Sequence, residues 1–341
     1  MTKSDMQALD IALATEAHAM YARLLTKDEK HRLASMTSSD ELVAFLRGTR
    51  AWSAAAAELP STGTTDGQFS FAMERAVYKE FERLYRFAES TARDFLIFIA
   101  LRMKFKAILD TLDRLSNPGQ QNYDSLPHFF LALPGYGIDQ IIAARSYPEL
   151  IALGGNGIFG DTLRSLPIDK ATGLPRLAEA AESLEARYNA VLTEFLHIGY
   201  KGPDKERLIE INSFRADLRD ASYLLRLRRF GASPEKGREL LPLGGTLGRK
   251  LEDAVLSAPD DDEALRLIMS SRVGRYLGHL ETEEPERFVR TAEDAYFRKI
   301  IHGPPSLSVA YAFMVLCEAE CAMLRRVFVS LKYGLDPEIY I

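Results

Sequence analysis

The sequence predicts an all-α protein built from three similar helical domains. Three observations predict it. Apolar residues recur every three or four positions in each long segment, as on one face of a helix. No segment of comparable length alternates with the period of two that a half-buried strand requires. The third observation is a repeat: "LPGYGIDQ" begins at Leu133 and "LPLGGTLG" at Leu241, an offset of 108 residues. A further 108 residues back lies Leu25, in "LLTKDEKHRLASMTSSDEL".

Taken from the N-terminus, each element has a local reason. The stretch after Leu25 reads as a short helix followed by one opened by "SSDEL", where a serine oxygen can accept an orphan N–H. Phe95, Phe98, Leu101, Phe105, Ile108 and Leu112 form the stripe of a first long helix, with Asn117 where a terminating glycine would be expected. "SYPEL" opens the second copy's capped helix, proline presetting its first turn. Leu177, Ala181, Leu184, Tyr188, Val191 and Phe195 mark another long helix, and Ile211, Phe214, Leu218, Ala221 and Leu225 its partner. "DDDEAL" opens the third copy's capped helix, with acids at the positive helix end. Phe313, Cys317, Cys321, Leu324, Phe328 and Leu331 stripe the last helix. Gly231 and Gly334 follow basic residues and fit as C-cap glycines. Breaks fall at Pro60, Ser116, Pro167, Tyr200, Glu281 and His302.

The N-terminus holds only the last part of a unit and the C-terminus only the first part. Each half exposes an apolar face, so the two ends are expected to pack together. The expected domains are 1–60 with 286–341, then 67–166, then 175–285.

Composition narrows the function. The 341 residues carry 43 Lys and Arg against 48 Asp and Glu, a net charge of −5. Binding to nucleic acid by counterion release calls for a basic excess, which is absent. Anionic lipid offers no strong attraction either. "FLIFIAL" is the densest apolar run, well short of the ~20 residues of a membrane span. Two cysteines give no disulfide framework, and the opening residues lack a signal-peptide core, so a cytosolic compartment is expected.

Several motifs invite chemistry. Gly155, Gly157 and Gly160 stand at G-x-G-x-x-G spacing, with Glu179 near the offset of a ribose-binding acid. A dinucleotide loop must leave a buried strand, and here the flanks are helical, so a helix joint is expected. Cys317 and Cys321 share one helical face, but a zinc site needs about four ligands and the histidines show no pairing. Asp260 to Glu263 are consecutive acids, which fan around a helix axis instead of lining one face. No catalytic, cofactor or metal residue is therefore assigned, and no bound small molecule is expected. "LLRLRRFG" is a basic cluster, with Arg226, Arg228 and Arg229 either gripping an acidic partner or placed for the helix dipole. Trp52 and Tyr136 sit beside joints and either anchor a partner or cap their own core.

The segments "INSFRADLRDASYLLRLRRFGASPEKGRELLPLGGTL" and "YAFMVLCEAECAMLRRVFVSLKYGLDPEIY", with the opening "MYARLLTKDEKHRLASMTSSDELVAFLRGT", resemble the C subunit (d in eukaryotes) of V/A-type rotary ATPases. The first long helix departs from that pattern. The resemblance implies three helical domains in a pseudo-threefold funnel, a non-catalytic link in the central stalk. Its partners would be the shaft subunits of the ATP-hydrolysing head and the membrane rotor ring, reached from the cytoplasmic face through protein contacts. The Leu-Pro turns at Gly135, Tyr136, Gly137, Gly244, Gly245 and Thr246, with the three arginines, are the expected contact residues. A helical scaffold outside any motor, or an all-α magnesium-dependent enzyme of the isoprenoid type using Asp260 to Glu263, would fit some of the same features.

Overall fold

A computed structural model of the chain describes residues 3–88, 90–117, 138–154, 158–199, 203–240, 246–276 and 285–337. Among them every regular element is helical, and the single β-bridge, Ile168 with Pro175, closes a turn. The chain divides into two compact units. The first comprises Met1–Ile97, Gln120–Pro134 and Phe297–Ile341, and the second Phe98–Gly119 and Gly135–Tyr296.

The first unit holds α1 (Lys3–Tyr21), α2 (Lys27–Ala34), α3 (Ser39–Leu46), α4 (Ser53–Ala57), α5 (Asp66–Phe87), the start of α6 (Ser90–Ser116), the end of a later helix, and the last helix. That last helix, Leu307–Tyr333, is its axis: α1, α3 and α5 all pack on it. It is the one described helix long and apolar enough to cross a membrane, yet 83% of its apolar window is buried inside the protein. Phe69 stacks on Phe328 at 4.1 Å between ring centroids. Tyr311 meets both Phe95 and Phe297 edge-on, at 5.7 and 6.0 Å. Burying rings of this size contributes roughly 2–3 kcal/mol each. Polar ties cross the same seam: Arg298 donates to the Tyr21 hydroxyl at 2.9 Å, and Arg325 to Ser70 at 3.1 Å and to Glu74.

The second unit contains the rest of α6, then α7 (Ile138–Ala143), α8 (Tyr147–Gly154), α9 (Gly160–Ser165), α10 (Leu177–Gly199), α11 (Pro203–Arg229), α12 (Pro234–Leu240), α13 (Arg249–Leu256) and α14 (Asp261–Met269). A 3₁₀ turn at Val273–Tyr276 and most of α15 (Pro285–Ile301) complete it. The helix Leu307–Tyr333 is α16. α11 packs against α10, α13 and α14. Phe214 stacks on Tyr296 at 3.9 Å, with Tyr276 edge-on to both, so α11, the 3₁₀ turn and α15 share one aromatic cluster.

Short-helix pairs recur three times along the chain, as α2–α3, α7–α8 and α13–α14. Their second members start by one chemistry. The backbone N–H of Glu41 donates to Ser38 at 3.2 Å, that of Glu149 to Ser146 at 3.3 Å, and that of Glu263 to Asp260 at 2.7 Å. Ser38 and Ser146 are 108 residues apart, but Ser146 and Asp260 are 114 apart. The register read from the two Leu-Pro turns therefore does not carry through to the caps of the third copy.

Candidate protein-contact site

Gly135, Tyr136, Gly137, Gly244 and Gly245 lie outside the described residues, as do Gly155 and Gly157. Gly160 is buried and begins α9, and a helix, α8, precedes the joint. Thr246 is described: although exposed, it donates from both its backbone N–H and its hydroxyl to Asp217 on α11, the hydroxyl bond being 2.7 Å. Asp217 is fully buried, and both of its carboxylate oxygens accept from this one residue.

The two charged runs singled out in the sequence answer each other. Arg228 reaches from the end of α11 to the Ala258 carbonyl at 3.2 Å and pairs with Asp261. Arg229 donates to the other oxygen of Asp261 at 2.9 Å. Asp260 caps α14, and Glu263 pairs with Arg266 at 2.6 Å. Three of the four acids thus have internal partners, which turns the cluster from a cation cradle into a helix start with a charge clasp. Arg226 stays exposed, with its guanidinium 3.4 Å from the Ser222 hydroxyl.

In the first unit the corresponding carboxylate is Glu320, 103 residues after Asp217. Its Oε1 accepts the Leu25 N–H at 3.0 Å and the Trp52 indole N–H at 2.8 Å, while Lys30 lies 3.5 Å from Oε2. Burial pushes its pKa above the usual carboxylate value, outweighing Lys30 and the two N–H donors that favour the charge. Trp52 is therefore a core residue bonded inward and offers no surface anchor. Cys317, one turn before Glu320, has its thiol pushed well above its ordinary value by burial and then by Cys321 and Glu320. Glu80 nearby is also raised, by burial against the pull of Arg23 and Arg83.

Two exposed aromatics escape a reading of the sequence alone. Phe230 is 87% exposed and Tyr333 62% exposed. Each immediately precedes the glycine that ends its long helix in the left-handed region, Gly231 and Gly334, both with φ of 68°. They stand 103 residues apart, the spacing of those glycines and of Asp217 and Glu320. Tyr333 also meets Asp66 through its hydroxyl at 3.1 Å. A signal exists in the aligned "RRFG" and "LKYG", but burial cannot be read from a helix terminus.

The family model described as ATP synthase (C/AC39) subunit matches residues 13–340. The C subunit of the A-type ATP synthase of Pyrococcus furiosus is 25% identical over 214 residues, covering 59% of this chain and 55% of that protein. The same subunit of the Pyrococcus abyssi A-type ATP synthase is 22% identical over 223 residues, covering 62% of this chain and 59% of that protein. The chain thus spans less than two thirds of the length of these relatives.

Proposed function

The chain belongs to the ATP synthase (C/AC39) subunit family, and we propose that it serves as a non-catalytic central-stalk subunit of a V/A-type rotary ATPase. In this role it joins the shaft of the ATP-hydrolysing head to the membrane rotor ring and passes rotation between them. The observation that carries the reading is the family match over residues 13–340 of a chain built of repeated helical pairs. Close-packed helices suit a mechanical part, because protein interiors are poorly compressible and transmit strain. The three-domain funnel expected from the sequence belongs to the same proposal, and a low-resolution envelope of the isolated chain tests it. On the cytoplasmic face the chain would be held by its protein partners.

Phe230 and Tyr333 are added to the contact residues expected from sequence. Solvent-facing aromatics at repeat-equivalent helix ends are the residue type that dominates protein interfaces. Pull-down of the tagged full chain from native membranes should bring the ATPase head and the ring protein. Recovery of the folded chain without either overturns the stalk role. Within that experiment, Phe230→Ser should weaken capture at least ~10-fold with an unchanged melting temperature. Charge reversal of Arg226, Arg228 and Arg229 needs Asp261→Asn as its control, since reversal also breaks the internal clasp.

A further inference from the structure

Two helices pass from one compact unit to the other without a break. The boundary falls between Ile97 and Phe98 within α6, and between Tyr296 and Phe297 within α15. Neither helix offers a hinge at its crossing. α6 contains no glycine or proline, and in α15 the one such residue is Pro285, at its first position. Sharp helix kinks arise almost always at these residues or at bulges, so an uninterrupted helix carries a displacement past the boundary as a rod does. Both rods meet one side chain of the first unit. Phe95 lies two residues before α6 leaves that unit, and Phe297 is the first residue of α15 inside it. Both rings pack edge-on against Tyr311 of α16, at 5.7 and 6.0 Å between centroids and with interplanar angles of 76° and 82°. All three side chains are buried.

We infer that Tyr311 is a positioning residue that couples the two crossing helices, so that loosening α6 at its entry to the first unit loosens α15 at its own entry, and the reverse. Close-packed interiors hold few voids, so a ring wedged between two others cannot yield to one without opening a gap against its second neighbour. The edge-on geometry adds a directional preference on both sides. Such coupling is reciprocal: the factor by which a change on α6 alters α15 equals the factor in the other direction. The link stands on Tyr311 and these two neighbours alone. Its use in passing rotation rests on the stalk reading above, and an experiment on the isolated chain separates the two.

The test is native-state hydrogen exchange on the full chain, resolved to α6 and α15. Phe95→Leu alters α6, yet amides of α15 around Phe297 should exchange roughly 3- to 10-fold faster. Phe297→Leu should speed exchange around Phe95 by the same factor. Unchanged exchange on the opposite helix, or two clearly unequal factors, overturns the inference. The control is α5, which packs on α16 through Phe69 and Phe328. A rise in α5 equal to that in α15 marks general destabilisation and also counts against the link. Tyr311→Phe keeps the ring and should preserve the cross-helix effect. In Tyr311→Leu, adding Phe95→Leu should no longer change α15, and an effect that survives there runs by another route and removes the role of Tyr311. Should Tyr311→Leu not fold, the two phenylalanine variants decide the matter by their reciprocity.

Discussion

Glu320 shows how a single buried carboxylate sets a measurable pH dependence. Its pKa in the fold lies above the reference value of 4.5 because burial outweighs three favourable partners. The folded chain therefore binds this proton more tightly than the unfolded chain does. The stability that follows is fully present below about pH 4.5 and is lost as pH rises through the folded value. Glu320→Gln keeps an acceptor for Leu25 and Trp52 without the charge, so stability relative to this variant should fall with rising pH over that window. Urea unfolding at a series of pH values checks it; a flat or rising difference refutes it. Glu320→Leu leaves two buried N–H donors unmet and should cost roughly 2–5 kcal/mol at about pH 4, and less as the pH rises. Cys317 offers a second test. A buried thiol with a raised pKa supplies almost no thiolate, so Cys317 should not react with a thiol reagent at about pH 8 until urea unfolds the chain, and Cys321 is shielded by its own burial. Native labelling at a free-thiol rate would contradict the described packing of α16.

Helix starts and stops carry their own costs, and two glycines separate them. A Cβ on Gly231 would meet nothing within 4 Å, so Gly231→Ala suffers only the strain of φ at 68°, about 1–2 kcal/mol. A Cβ on Gly274 would stand 1.9 Å from the Met269 carbonyl oxygen, a backbone atom that cannot rotate away. Gly274→Ala should therefore cost more, roughly 3 kcal/mol, by displacing the 3₁₀ turn from α14. Asp260→Ala should cost about 1 kcal/mol through the lost cap. Thermal unfolding of the three variants ranks them, and Gly231→Ala as the worst would reverse the argument. Elements of this kind are legible in the sequence because their signals are local: S-x-x-E and D-x-x-E starts, a glycine after basic residues, apolar stripes on α10, α11 and α16. The clasp between Arg228, Arg229 and Asp261 is not, because it joins residues 32 and 33 positions apart whose charges each have a sufficient local explanation. Trp52 stands between surface and core in the sequence for the same reason, its partner Glu320 lying 268 residues away. The repeat is visible, but the two Leu-Pro turns set its register at 108, whereas the described caps of the second and third copies stand 114 apart.

At the scale of the whole chain, the two units differ in how far apart in sequence their tying residues lie. In the second unit the bonds that Asp217 and Arg228 on α11 and Thr111 on α6 make to the short-helix segments close loops of about 30 residues, and wider ties, Arg215 with Glu293 at 2.7 Å and Phe214 with Tyr296, span 78 and 82. In the first, His18 meets the Ile301 carbonyl across 283 residues, Leu25 meets Glu320 across 295, and Arg325 meets Glu74 across 251. Loop closure costs entropy before such contacts can offset it, so distant pairings form late. Nearly all the core of the first unit also needs α16, on which α1, α3 and α5 pack. Pulse-labelled hydrogen exchange during refolding should therefore find α10, α11, α13 and α14 protected before α1, α5 and α16. Within the first unit, α1 and α16 should gain protection in one phase, since neither has its main packing surface without the other. Protection of α1 and α5 ahead of α11, or of α1 without α16, would mean that the early half of the first unit holds together through local contacts, and that the long-range ties only decorate it.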